Sequence, residues 1–347
     1  MTTLSRDPKV GRRRILLPVY GLAVLLALLP AGSVFAQVVD IPAVMNPDLK
    51  APPTAVMVQY GHQFKADIDN ANDEMSRDNA LFSLMHRVKL SEKTTAFAMG
   101  TYTLHSYNFS GGRNGGPTPP PAVNFYQWDD VHRMVIGGII SHDLNDKWRL
   151  IGGGVFRSWG EGGADYADSI TGGLLGGFDY HPNEDFSIGL IIGAFSALED
   201  SAGILPVPTL KWQFAEGWRL NIGMVSVADP GIGAEVSWQV NDELMLGAGA
   251  AFQNRQFRLK DKGRVAPGAN GDVSRPSESD AGGVGSESEV PIFALVGWKP
   301  TPKTAIYLQG GVAVNGNVRV EDNDGDRIRD DDYDAAPFIS LKGQIFF

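Results

Sequence analysis

The chain reads AAPFISLKGQIFF from Ala335 to Phe347. Its odd positions Pro337, Ile339, Leu341, Gly343, Ile345 and Phe347 are apolar or small, and Ser340, Lys342 and Gln344 fall between them. Successive side chains of a strand point to opposite faces, so this alternation predicts a strand with one greasy and one polar side. The same period of two recurs upstream. Val56, Val58, Tyr60 and Phe64 alternate with Gln59 and Gln63, and Trp218, Leu220, Ile222 and Met224 alternate with Arg219, Asn221 and Gly223. Ile232, Ala234, Val236, Trp238 and Val240 oppose Gly233, Glu235, Ser237 and Gln239, while Ile306, Leu308 and Val312 oppose Tyr307, Gln309 and Gly311. Between Val131 and Ser141 both faces are apolar or glycine, and the pattern does not choose one.

The connections alternate as well. Ser91-Glu92, Asn145-Asp146, Pro182 to Glu184, Ala215 to Gly217, Asn241-Asp242 and Thr301-Pro302 are short polar turns. Between them lie longer or more polar segments: Ala66 to Arg77, Asn108 to Phe125, Gly160 to Asp168, Leu198 to Ala202, Ala228 to Pro230, Asp261 to Ser286 and Glu321 to Asp334. The expectation is an all-β chain forming a single transmembrane, antiparallel up-and-down β-barrel of about 14 strands, with 12 to 16 as the range. An even count leaves both ends of the barrel on the short-turn side. Trp148, Phe186, Trp218, Trp298, Phe346 and Phe347 all lie near short turns, where a girdle of amphipathic rings would meet the headgroups.

The N-terminus adds an address. Arg6, Lys9 and Arg12 to Arg14 precede an apolar run from Ile15 to Leu29, and Val34-Phe35-Ala36 has the small-x-small form of a cleavage site. This is the pattern of a secretory signal peptide over 1–36, followed by a Pro-rich periplasmic lead-in over 37–54 and the barrel over 55–347. The apolar run is shorter than the ~20 residues of a spanning helix. Removing 1–36 leaves 25 basic and 39 acidic residues, a formal charge of −14, which offers nucleic acid no attraction. With no cysteine, the chain has no disulfide framework and no thiolate metal site.

The closing strand, with its alternation and final Phe347, resembles the last strand of bacterial outer-membrane β-barrels. The resemblance implies an outer-membrane protein of a Gram-negative bacterium, in contact with lipopolysaccharide, with Phe347 read as a signal by the barrel-assembly machinery. It is one of architecture, closest in kind to barrel families known only as domains of unknown function, so it transfers no functional residue.

Candidate chemistry follows from the inward faces. Arg87, Lys89, Arg149, Arg157, Lys211, Arg219, Arg255 and Lys342 fall there with Glu235 and Asp179, so a net-basic lumen would focus anions. This predicts a passive pore for small solutes with mild anion preference. The alternative is a closed structural or adhesive barrel that acts through its extracellular loops. In the last outer loop, Asp322, Asp324, Asp326, Asp330 and Asp331 surround Gly325 and invite calcium, although an EF-hand register would need a first ligand at Val320. No cofactor is otherwise implied. Gly137-Gly138, Gly152 to Gly154, Gly172-Gly173 and Gly176-Gly177 point to a flattened wall or to room for something folded inside. His105-Ser106 and Ser141-His142 are adjacent pairs that a strand sends to opposite faces, and no H-E-x-x-H or G-x-S-x-G occurs, so no enzyme activity is expected.

Overall fold

The computed structural model describes residues 53–69, 73–111, 128–199, 202–226, 229–261 and 280–347. The expected signal peptide and nearly all of the lead-in lie outside them, as does most of the segment from Asp261 to Ser286. The described residues form β1 (Thr54–Ile68), β2 (Asp73–Lys89), β3 (Thr94–Gly111), β4 (Asp130–Asp143) and β5 (Trp148–Glu161). Then come β6 (Ile170–Asn183), β7 (Phe186–Phe195), β8 (Gly203–Ala215), β9 (Trp218–Ser226) and β10 (Pro230–Gln239). The remainder are β11 (Leu244–Arg258), β12 (Val284–Thr301), β13 (Thr304–Glu321), β14 (Arg327–Tyr333) and β15 (Ala336–Phe346).

From β1 to β14 each strand pairs antiparallel with the next, and β1 pairs with β15 from Ala55↔Phe346 to Gln63↔Phe338, closing the sheet on itself. β14 and β15 both pair with β13, one after the other along its length, so they are two segments of a final strand broken at Asp334-Ala335. The result is a closed 14-strand up-and-down barrel with one extra strand. Closure leaves no edge to satisfy in hydrocarbon, which is why barrels can span membranes.

Two expected loops are partly strand. The segment from Ala66 to Arg77 is largely ladder, because a bulge between Gln63 and Ala66 shifts the period and hides the continuing alternation. The segment from Glu321 to Asp334 contains β14, whose run of aspartates carries no hydrophobic alternation to announce it.

The outer surface follows the period-two pattern. Val58, Tyr60, Phe82, Ile136, Phe156, Leu174, Ile192, Ile204, Leu308 and Leu341 are exposed apolar positions around the wall. Trp148, Trp218, Trp238, Trp298 and Phe347 are exposed near the short-turn end, with Trp218 and Trp238 stacked at 5.6 Å. An apolar band with an aromatic rim is what lipid requires of a barrel exterior.

The wall departs from a simple cylinder at the loop end of β8 and β9. Their ladder stops at Leu210↔Ile222, although β8 stays paired to β7 up to Gly203 and β9 to β10 up to Ser226. At and beyond that point Ala234 and Ile232, expected to face lipid, are buried; Leu220, also expected to face outward, is buried within the ladder opposite Trp212. Ile232 and Met224 pack with Phe195, Leu205 and Val207 from the inner face of β7 and β8. The loop-end halves of β9, β10 and β11 are therefore tucked behind β6 to β8, as in a scroll. β11 reaches across to β5, pairing parallel with it at Arg258↔Gly160. Alternation within one strand cannot reveal this, because overlapping walls bury both faces.

Candidate functional site

The interior is layered. At the short-turn end the inward positions form a polar vestibule. Arg87, Arg149, Lys211 and Glu235 are half-buried there, Lys89 and Arg219 are exposed, and Lys342 is buried. Asp143 and Asp179 complete it. Arg149 Nε lies 2.7 Å from Asp143 Oδ1, Ser187 Oγ donates to Asp179, and Lys342 Nζ sits 4.7 Å from the Tyr307 ring centroid. Among these inward side chains six bases stand against three acids.

Above the vestibule the lumen is filled by Phe97, Val135, Ile139, Val155, Leu175, Ile191, Phe195, Leu205 and Val207. The ring of Phe195 occupies the space over Gly173 and Gly193, where any Cβ would collide with it. Gly173, in one of the glycine runs, and Gly193 thus make room for the ring of Phe195. Arg157 is buried at the top of this layer and its Nε donates to Thr171 Oγ1 at 2.9 Å.

Toward the loop end the lumen is crossed by a buried ion network. Arg77 from β2 donates to both Glu287 and Glu289 of β12, the latter at 2.9 Å. Arg255 from β11 holds Glu289 at 2.9 Å, Asp229 at 2.8 Å and Glu287 at 3.3 Å. Tyr107 and Tyr333 donate to the same glutamates at 2.7 to 3.1 Å. All seven residues lie below a tenth exposed. Beside them His105 is fully buried with both ring nitrogens lacking a hydrogen-bond partner among the described residues, its Nε2 3.9 Å from Asp229 Oδ1. A cavity of about 10 Å³, room for roughly one water, lies between Gln63, Arg77, Asn79, Gln253 and Glu289.

The mouth is covered by the tucked end of β11. Arg258 donates to Glu199, to the Gly282 carbonyl at 2.7 Å and to the Asp168 carbonyl at 2.9 Å. The Lys260 amide donates to Glu161 at 3.1 Å, and the Asp165 amide donates to Asp261 at 3.3 Å.

Of the nine sequence-derived lumen residues, the structure gathers Arg87, Lys89, Arg149, Lys211, Arg219, Glu235 and Lys342 at the vestibule. Arg157 and Arg255 sit deeper, in packed layers. The partners of Arg255 escaped the sequence reading: Arg77 and Glu287 fell in or beside expected loops, and Asp229 in a turn. The available signal was parity, since Glu287 and Glu289 share the inward phase of Phe293 and Leu295.

The acidic segment folds onto itself. Asp322 Oδ1 accepts the amides of Asp324 and Asp326, each at 2.9 Å, which shapes the turn around Gly325. Asp330 pairs with Arg319 and Arg327 at 3.1 Å, and Asp331 with Arg329. Among the described residues no three acidic or histidine side chains converge as a metal site. Phe347 ends the closing strand, its amide donating to the Thr54 carbonyl at 2.9 Å.

These features define a transmembrane β-barrel with a charged interior and an apolar band around its wall. No protein-family description and no curated protein matches the sequence. Among solved structures, the chain is similar to an outer-membrane channel from Pseudomonas putida F1, at 12% identity over 87% of this chain and 99% of that one, TM-score 0.45. It is also similar to a Pseudomonas aeruginosa FadL homologue (11%; 85% and 90%; 0.45) and to the Acinetobacter baumannii outer-membrane protein Omp33 (10%; 86% and 99%; 0.42). Likeness at this distance does not extend to function.

Proposed function

We propose that the protein is a bacterial outer-membrane channel for small solutes, described here in a closed state, with a basic vestibule that favours anions. The short-turn end would face the periplasm and the loops the exterior, with export by the N-terminal leader and insertion by the barrel-assembly machinery. The observation that carries the reading is the ion network spanning the lumen. Ionisable groups at membrane depth are expensive, and replacing a buried ion pair by packed apolar residues is often neutral or stabilising, so their retention points to a pathway. The vestibule's excess of bases would draw anions by the same focusing that steers charged ligands.

The test is planar-bilayer conductance of the refolded protein in asymmetric KCl. The expected record is long closed periods broken by ion-selective steps, with a reversal potential of the sign for anion preference. A reversal potential at zero or of cation sign removes the anion assignment. A folded barrel that stays silent at every voltage removes the channel.

A second reading, a closed structural or adhesive barrel acting through its loops, is favoured by the packed lumen. Silence in the bilayer together with binding of the barrel to cells or lipopolysaccharide would establish it.

A further inference from the structure

The unpaired stretch between β8 and β9 has a local cause. The Gln213 amide donates to the Asp185 carbonyl on the β7 side, so odd-numbered residues of β8 direct their N–H groups toward β7 and even-numbered ones toward β9. Continuing the Leu210↔Ile222 register would set Pro208 opposite Met224 and Pro206 opposite Ser226. Proline has no N–H, so β8 lacks the two donors with which it would continue the ladder. On the facing strand Gly223, the residue after the last ladder pair, stands at φ 124°, a conformation open to glycine, and a Cβ there would lie only 3.2–3.3 Å from Thr209 and the Pro208 carbonyl.

The tucked end meets a set of polar contacts rather than a seamless core. Arg258 is held by Glu199, a non-glycine residue at φ 57°. The buried layer beneath retains polar atoms without a hydrogen bond among the described residues at both ring nitrogens of His105 and at Asp229 Oδ1. Strained backbone and half-satisfied buried groups are features of segments with two arrangements.

We propose that the loop-end halves of β9 to β11 are the channel's gate, and that Pro206 and Pro208 bias it shut by denying β8 the donors needed to zip with β9. In the other arrangement β9 swings out beside β8, β11 leaves β5, and the ion network parts. That these motions open a solute path rests on the channel reading above; the seam and its bias do not.

Two substitutions test this. Pro206→Thr/Pro208→Thr restores both donors, and at roughly fivefold per backbone hydrogen bond the balance moves by about 25-fold toward the zipped form, of which about tenfold is expected in the oxidation rate. The occupancy of the tucked form is read by Gly163→Cys/Lys260→Cys. A Cβ built on Gly163, whose φ of 96° strains a cysteine alike in both backgrounds, lies 3.8 Å from that of Lys260, within disulfide range, and the natural chain has no cysteine to interfere. The pair is expected to oxidise readily in the parent barrel and about tenfold more slowly with the prolines replaced. Conductance is expected to rise with the prolines replaced and to fall when the disulfide forms, recovering on reduction. Equal oxidation rates in the two backgrounds overturn the seam proposal. Slower oxidation with a silent bilayer upholds the seam and overturns the channel. Should the double proline variant fail the heat-modifiability check for folding, Pro208→Thr alone carries the same comparison at about fivefold.

Discussion

Replacing Arg255 with Met tests whether the lumen network is a mutually dependent set of charges. Arg255 touches three carboxylates, Asp229, Glu287 and Glu289, at 2.8 to 3.3 Å, and is itself 2% exposed. Arg77 also engages Glu287 and Glu289, but no contact of Arg77 with Asp229 is made. Loss of Arg255 therefore removes the arginine hydrogen-bonded to Asp229, which is left beside His105 with buried Arg77 and Arg133 at longer range. Breaking a buried pair costs about 3–5 kcal/mol, because the remaining charge stays desolvated. For a domain of this size about 2 °C is lost per kcal/mol, so the melting midpoint is expected to fall by roughly 6–10 °C. The assay is the heat-modifiable gel shift, or tryptophan fluorescence, of the barrel in detergent micelles. Adding Asp229→Asn restores the charge balance, and the pair is expected to recover at least about half the loss. The control Arg219→Met, at an exposed vestibule position, is expected to change stability by less than about 0.5 kcal/mol. A loss under about 1 kcal/mol for Arg255→Met, or a double variant no better than the sum of its parts, would refute the network.

Gly173→Ala places a methyl against the Phe195 ring and is expected to cost about 1–3 kcal/mol, with Phe195→Leu in the same chain recovering most of it in the same melting assay. Lys89→Glu/Arg219→Glu reverses the two exposed vestibule charges and is expected to move the bilayer reversal potential toward cations without changing the melting midpoint by more than a few degrees. Phe347→Ala is expected to lower the amount of barrel inserted in cells several-fold while refolding into micelles proceeds normally; equal insertion would remove the assembly-signal reading. Trp218→Ala/Trp238→Ala removes a stacked pair from the rim and is expected to cost about 1–3 kcal/mol in bilayers, measured by urea unfolding.

What the sequence determined alone is the class of object and most of its surface. The alternation through Ile339, Leu341 and Ile345 against Ser340, Lys342 and Gln344 sets the closing strand's faces, because a strand has only two sides. Short turns at Asn145-Asp146 and Asn241-Asp242 against long connections opposite them set the up-and-down order for the same local reason. Seven of the nine lumen residues also reach one vestibule, since parity and distance from a turn are both readable along the chain. Tertiary structure decided whatever depends on strands that are not neighbours in sequence. Arg77 and Glu287 stand 210 residues apart and meet across the lumen, and no spacing rule connects them. Ile232 carries a lipid-facing pattern, yet it is buried against Phe195, Leu205 and Val207 because the end of β8 lies over β9 and β10. The prolines at 206 and 208 were visible from the start. Their consequence became visible only with the hydrogen-bond direction of β8, which the fold supplies and a single strand does not.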